Sequence, residues 1–337
     1  MLNRIMLALT LVAFGIQLSP GQSKTGTTVG QFLLIEPSAR IGGMGNAGAT
    51  LYSEIEAAYY NPASLGLLTQ NGVQFTHSPW LAGITYDYAT FALVLGDIGN
   101  ISGAVTALNS GDIAVRTVDQ PLGTGENFTV TDLAFGFGYG KQVSDRFSVG
   151  FQVKYLQETI WHSTMNGFAI DVGTLYRISP NGLHIGASIS NFGTRPQFNG
   201  RDLRILFDQN RLINGDNPAI PGEINTSDFP LPILFRVGLG LPVTIDDNNL
   251  VHLEIDAFHP SDNLESVSLG AEWLFYNTFA IRGGYQGLGL GPEREIGLTL
   301  GAGVHYGFED VKVSFDYAWA YHGRLDYIQL LTFGVAF

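Results

Sequence analysis

The chain has no cysteine among its 337 residues. That excludes disulfides, thiolate metal centres, cysteine nucleophiles and a lipid anchor on cysteine. Charge is also scarce: Asp, Glu, Lys and Arg make up 14% of the chain, where a soluble protein carries about a quarter. The charges sum to −13, which argues against a nucleic-acid partner, whose phosphates require a basic face. A solvated acidic surface accounts for that sum. Past the extreme amino terminus no apolar run is long enough to cross a bilayer as a helix.

Catalytic patterns are missing too. The seven histidines, His77, His162, His184, His252, His259, His305 and His322, form no His-Glu-x-x-His and no tight ligand pair. "GLGLGP" at 287–292 has no helix or lysine after it to hold a phosphate, and reads as a turn. No Gly-x-Ser-x-Gly elbow occurs. The expectation is a protein that is not an enzyme and takes no cofactor or metal.

What the chain has is glycine, 43 residues, and aromatics, 12%. It opens "MLNRIMLALTLVAFGIQLSPGQS": Arg4, then an apolar core from Ile5 to Leu18, then small residues at Ser19 and Gly21. This pattern predicts a secretory signal peptide over 1–21, cut after Gly21; the apolar core is short for a membrane anchor.

Beyond residue 70 the chain alternates. In "VHLEIDAF", Val251, Leu253, Ile255 and Ala257 share one face while His252, Glu254 and Asp256 share the other. "VKVSFDYAWAYH", "FSVGFQVKY" and "SVSLGAEWLF" repeat the pattern, and period two means strands with two unlike faces. A soluble sandwich and an outer-membrane barrel both alternate, but strand length separates them. Crossing a membrane takes about 9–11 residues, whereas strands elsewhere average about 5–6. Segments 83–94, 147–160, 249–260, 265–276, 311–322 and 326–337 are of the long kind. Tyr155, Trp161, Trp273, Phe275, Trp319 and Tyr321 would suit aromatic girdles at the membrane interfaces.

The fold class is therefore all-β, a transmembrane antiparallel barrel occupying 71–337. About fourteen strands are expected, near 72–79, 83–95, 101–109, 130–142, 147–160, 167–178, 183–193, 233–243, 249–260, 265–276, 278–288, 297–307, 311–322 and 326–337. An even number brings both ends of the wall to one side. Turns "SPNG" (179–182) and "DDNN" (246–249) are tight. The connection 194–232 is long, polar and Pro-rich, with an apolar island at Ile205-Leu206-Phe207. It reads as a structureless extracellular loop, either a binding or lid element or simply solvated. The closing "LLTFGVAF" ends in an aromatic, resembling a signal for the outer-membrane insertion machinery.

Ahead of the barrel lies "GQFLLIEPSARIGGMGNAGATLYSEIEAAYYNPASLG" (30–66), too apolar for a tail in water, and Asn61-Pro62 stops a helix and starts a turn. A compact plug inside the lumen would bury it. Here the chain resembles the amino-terminal signature of the PorV/PorQ proteins, outer-membrane barrels related to FadL-type transporters of hydrophobic compounds. The matching positions are Phe32-Leu33, Ser38-Ala39-Arg40, Gly43-Met44-Gly45 and Asn61-Pro62-Ala63; departures fall at Gly42, Asn46 and Ser64.

The resemblance implies that residues 22–70 form a hatch in the barrel and that the Asn-Pro-Ala turn delivers the chain to the first strand. Arg40, shielded there, would need a carboxylate partner on the lumen face, with Glu254, Asp256, Glu272 and Asp316 the candidates by alternation. Two functions are then open. One is a component of type IX secretion that handles exported cargo proteins together with other secretion components, the outer loops carrying the contact. The other is a gated transporter of a hydrophobic ligand such as a long-chain fatty acid. Both place the chain in outer-membrane lipid of a Gram-negative-type cell.

Overall fold

The computed structural model describes residues 24–52, 54–179, 182–209, 219–290 and 296–337. The proposed signal peptide, 1–21, and part of "GLGLGP" lie outside these. Fourteen strands make the wall. They are β1 (Gly72–Pro79), β2 (Thr85–Val94), β3 (Asn100–Asn109), β4 (Val130–Ser144), β5 (Phe147–Ile160), β6 (Ser163–Arg177) and β7 (His184–Gly193). The second half comprises β8 (Leu234–Asp246), β9 (Asn249–Pro260), β10 (Ser266–Phe275), β11 (Phe279–Leu288), β12 (Leu298–Phe308), β13 (Val311–Tyr321) and β14 (Tyr327–Ala336). Each strand pairs antiparallel with the next, and β1 pairs with β14 from Gly72↔Ala336 to His77↔Leu331, closing the barrel. A closed sheet has no free edge and leaves no backbone group unpaired in hydrocarbon.

Alternation sets the two faces. Along β1, Val73 and Phe75 are exposed while Gln74, Thr76 and Ser78 are buried. Along β9, Leu253 and Ile255 face out while Glu254 and Asp256 face in. Phe91, Phe135, Phe137, Phe151, Phe168, Leu300, Phe315 and Phe333 extend the outward apolar band, as a wall in contact with lipid requires. The protein is a closed antiparallel β-barrel with an apolar outer face. Among the described residues no helix is long and apolar enough to cross a membrane; the strands do so.

The two ends differ. One carries the connections 95–99, 145–146, 178–183, 247–248, 276–278 and 309–310, together with the start of β1 and the end of β14. The other carries 80–84, 110–129, 161–162, 194–233, 261–265, 289–297 and 322–326. We call these the short-turn end and the long-loop end. Trp273 and Phe275 close β10 at the short-turn end, and Trp319 and Tyr321 close β13 at the long-loop end. Tyr155 is not at a strand end: it lies inside β5 between Phe135 and Phe168, because β5 runs on to Ile160.

The connection 194–232 is not structureless. Arg204–Phe207 pairs antiparallel with Ile220–Glu223 as a ribbon, and Asn199–Gly200 pairs with the start of β6. The apolar island Ile205-Leu206-Phe207 is β-prone and finds a partner strand locally. A second small ribbon joins Ile113–Ala114 to Asn127–Phe128 in the connection 110–129.

Candidate functional site

Residues 28–68 lie against the inner face of the wall, and their local geometry follows from a few residues. Gln31–Leu34 is one 3-10 turn near the long-loop end, where Phe32 and Leu33 pack with Leu156, Met165 and Leu231. Ser38 caps the short helix α1 (Ala39–Gly42) by accepting from the Ile41 N–H at 3.0 Å. The Ala39 N–H donates to Thr332 Oγ1 at 3.0 Å. Gly43 lies against the Gly301 backbone, and Gly45, at φ 70, donates its N–H to Thr299 Oγ1 at 2.9 Å. Met44 is fully buried with Ile41, Leu51, Ala57 and Tyr60.

A second helical turn, α2 (Ala57–Tyr60), ends at Asn61, whose Oδ1 accepts from the Ala63 N–H at 3.1 Å. Pro62 then opens the 3-10 stretch Pro62–Leu67, where its missing N–H costs nothing. Asn61 Nδ2 donates to Ala49 O at 2.8 Å and to Thr174 O on β6 at 3.0 Å. Ser148 on β5 donates to Ala63 O at 2.6 Å. The turn is thus bonded both to its own segment and to two wall strands before the chain enters β1.

Wall glycines make room for it. An added Cβ at Gly150 would meet the Pro62 carbonyl, one at Gly173 would meet Asn61 Oδ1, and one at Gly186 would meet Ala49 O, each well inside contact distance. Three neighbouring strands, β5, β6 and β7, therefore drop their side chains where Asn61-Pro62 presses on them.

Charge joins the segment to the opposite side of the wall. Arg40 donates from Nε to Glu272 Oε1 at 3.0 Å and from Nη2 to Glu272 Oε2 at 2.7 Å, while its Nη1 lies 3.1 Å from Glu54 Oε1. Glu272 also accepts from Arg282 Nε at 2.7 Å, and Arg282 Nη1 reaches Asp316 Oδ1 at 2.6 Å. His305 Nε2 lies 3.1 Å from the same Asp316 oxygen. Burial works against the Arg40 charge, but Glu272 and Glu54 outweigh it and hold the guanidinium above its ordinary value. Glu56 stands close by, where burial, then Glu54 and Asp316, push its carboxyl up to about 7.

The other two candidate carboxylates bind backbone and hydroxyl. Asp256 Oδ2 accepts from the Gly48 and Ala49 N–H groups at 2.8 and 2.9 Å; Glu254 Oε1 accepts from Thr50 Oγ1 at 2.6 Å. Asp316 is the one candidate that reaches the segment only through another residue, Arg282.

Sequence reading gave several inward charges no role. Arg236 on β8 donates to Glu36 Oε1 at 2.6 Å and to Tyr60 O at 2.9 Å, with its guanidinium over the Tyr60 and Phe258 rings. Lys154 and Asp171 pair at 2.8 Å across β5 and β6. The signal was present: Phe235 and Val237 face out, so Arg236 faces in, and Phe279 and Ile281 place Arg282 the same way.

Two cavities flank the segment. At the long-loop end, one of about 450 Å³ is lined by residues that include Gln31, Leu34, Glu36, Phe258 and Asp262. At the short-turn end, one of about 340 Å³ is lined by residues that include Arg40, Tyr52, Glu54, His252 and Glu254. Among the described residues no group of His, Asp or Glu is arranged to hold a metal ion.

The fold is shared with solved outer-membrane barrels. The Pseudomonas putida toluene transporter TodX aligns at TM-score 0.56 and 13% identity, covering 89% of this chain and 96% of that one. The Ralstonia pickettii toluene transporter TbuX aligns at 0.54 and 14%, covering 90% and 98%. A Pseudomonas aeruginosa FadL homologue aligns at 0.55 and 9%, covering 89% and 98%. Comparison with curated proteins finds no match. The family described as type IX secretion system protein PorV matches residues 19–257, a span that takes in the whole amino-terminal segment and the wall through most of β9. By that match the chain belongs to the PorV family of outer-membrane β-barrels.

Proposed function

We propose that this barrel is a type IX secretion component that handles exported cargo proteins at the cell surface, and that it is not an enzyme. The observation that carries the reading is the family match over residues 19–257. Two features support it. The described residues of 28–68 act in this reading as a hatch that fills the lumen, bonded to β2, β3, β5 to β10, β12 and β14. The long-loop end displays apolar side chains on its ribbons, with Leu206 72% and Phe207 52% exposed, which suits protein contact better than solvation. Short periplasmic turns and longer outer loops are the rule for such barrels, so the long-loop end faces outward in this reading.

A second reading, a gated conduit for a hydrophobic small molecule, is favoured by the cavity of about 450 Å³ at the same end, which Leu34, Leu234, Phe258 and Ile296 help to line. Here the hatch would be the gate. Purification from detergent-solubilised outer membrane, with identification of what co-elutes, separates the two. Secreted proteins sharing a carboxy-terminal domain support cargo handling; bound fatty acid or another hydrophobe in their place overturns it.

A further inference from the structure

The segment runs through the barrel in an unexpected direction. β1 starts at the short-turn end, so the chain must reach that end by residue 72. Its earliest described residues lie at the other end. Thr28 Oγ1 donates to Asp262 Oδ2 at 2.5 Å, and Gln31 Nε2 donates to the same oxygen at 2.6 Å; Asp262 lies in the connection after β9, at the long-loop end. The Gly30 N–H donates at 2.9 Å to Glu158 Oε1, two residues from that end of β5. The Val29 N–H donates at 3.1 Å to Pro230 O, and Leu231 packs on Phe32 and Leu33. Lys24, Thr25, Gly26 and Thr27 are exposed beyond these contacts.

We infer that the chain at Lys24 stands at the outer mouth of the barrel, and that Leu231 with Asp262 forms a joint through which the long outer loop controls the hatch. The physical reason is the sharing of partners. In the hatch's upper turn, Phe32 and Leu33 are buried by Leu156 and Met165 of the wall together with Leu231, a residue of connection 194–233 that also carries the exposed ribbon. Whatever displaces that connection removes the Leu231 part of the apolar cover over Phe32 and Leu33 and the carbonyl that fixes Val29. A partner bound outside thereby loosens the upper hatch without crossing the wall. The lower hatch keeps its own anchors, Asn61 to Thr174 and Ala63 to Ser148. The inference rests on the outward placement of the long-loop end and is independent of cargo identity.

The absence of cysteine permits a direct test. Single-cysteine variants Lys24→Cys, Leu122→Cys and Asp247→Cys are treated on intact cells with a membrane-impermeant maleimide. Lys24→Cys and Leu122→Cys should label at once, and Asp247→Cys, in the β8–β9 turn, only after the outer membrane is permeabilised. Labelling of Leu122→Cys without Lys24→Cys overturns the placement of Lys24; labelling of Asp247→Cys alone overturns the orientation itself. For the joint, the modification rate of buried Leu33→Cys is compared with that of buried Leu65→Cys in purified protein. Adding Leu231→Ala should accelerate the first at least about tenfold, a change that loss of a buried leucine readily supplies, and leave the second unchanged. Asp262→Ala should act in the same direction. Equal acceleration at both sites means general loosening, and no acceleration means no coupling; either result overturns the joint.

Discussion

Arg40 and Glu272 meet as a two-pronged pair inside the barrel, at 3.0 and 2.7 Å, although 232 residues separate them in the chain. Neither is solitary: Glu54 approaches Arg40 from the amino-terminal segment, and Arg282 approaches Glu272 from β11. Two cations and two carboxylates, Glu272 and Asp316, thus share one buried seam, with Glu54 half exposed at its edge. Such a seam adds little against an apolar replacement but costs much when one member is removed.

Arg40→Ala leaves Glu272 with Arg282 and deprives Glu54 of its partner. The expected loss is about 3 kcal/mol, the lower end for breaking a buried pair, because Arg282 remains. It is read as a lower thermal midpoint in detergent, followed by heat-dependent gel mobility. Arg40→Lys should recover only part, since an ammonium lacks the planar fork.

Gly173→Ala should destabilise the protein by about 1–3 kcal/mol, the usual cost of overpacking, because the new methyl meets Asn61 Oδ1. Gly283→Ala is the matched control: nothing stands within 4 Å of a Cβ there. Thermal midpoints of the two variants should differ clearly, with Gly283→Ala near the parent.

Glu56 gives a pH dependence. Its carboxyl is raised from 4.5 to about 7 in the folded protein, so between these values the folded state holds the proton more tightly than the unfolded chain. The stability this contributes is full below pH 4.5 and is lost as pH rises through about 7. At its largest the effect is ~3 kcal/mol. Glu36 is raised to about 7 as well, by burial against the opposing pull of Arg236. Glu56→Gln should therefore flatten the thermal midpoint between pH 5 and 7 only in part, with Glu36 among the groups that keep the rest of the slope.

Ile255 and Asp256 are adjacent on β9 and face opposite ways, 49% and 0% exposed. Ile255→Arg places a charge toward lipid and should cost about 2–4 kcal/mol near the midplane. Asp256→Asn leaves one oxygen to accept from Gly48 and Ala49, and should cost less. The folded fraction after refolding into lipid vesicles, measured by gel mobility, ranks the two.

Much of the barrel is legible before folding because alternation is a local property. Val251 through Ala257 declare two faces from their spacing alone, and strand length then assigns the apolar face to lipid. The inward orientation of Glu254, Asp256, Glu272 and Asp316 follows from the same count. The reading of 194–232 as structureless failed because a three-residue apolar island gives too short a pattern to announce a ribbon whose partner lies beyond the connection's midpoint.

The sequence by itself determined the exclusions, the strand pattern and the family signature, since each rests on residue types and near-neighbour spacing. Only the tertiary structure decided which carboxylate receives Arg40, why Gly150, Gly173 and Gly186 are bare, and at which end of the barrel residues 28–31 lie. Those depend on the stagger of strands around a closed wall, a relation among residues hundreds of positions apart that no local periodicity encodes.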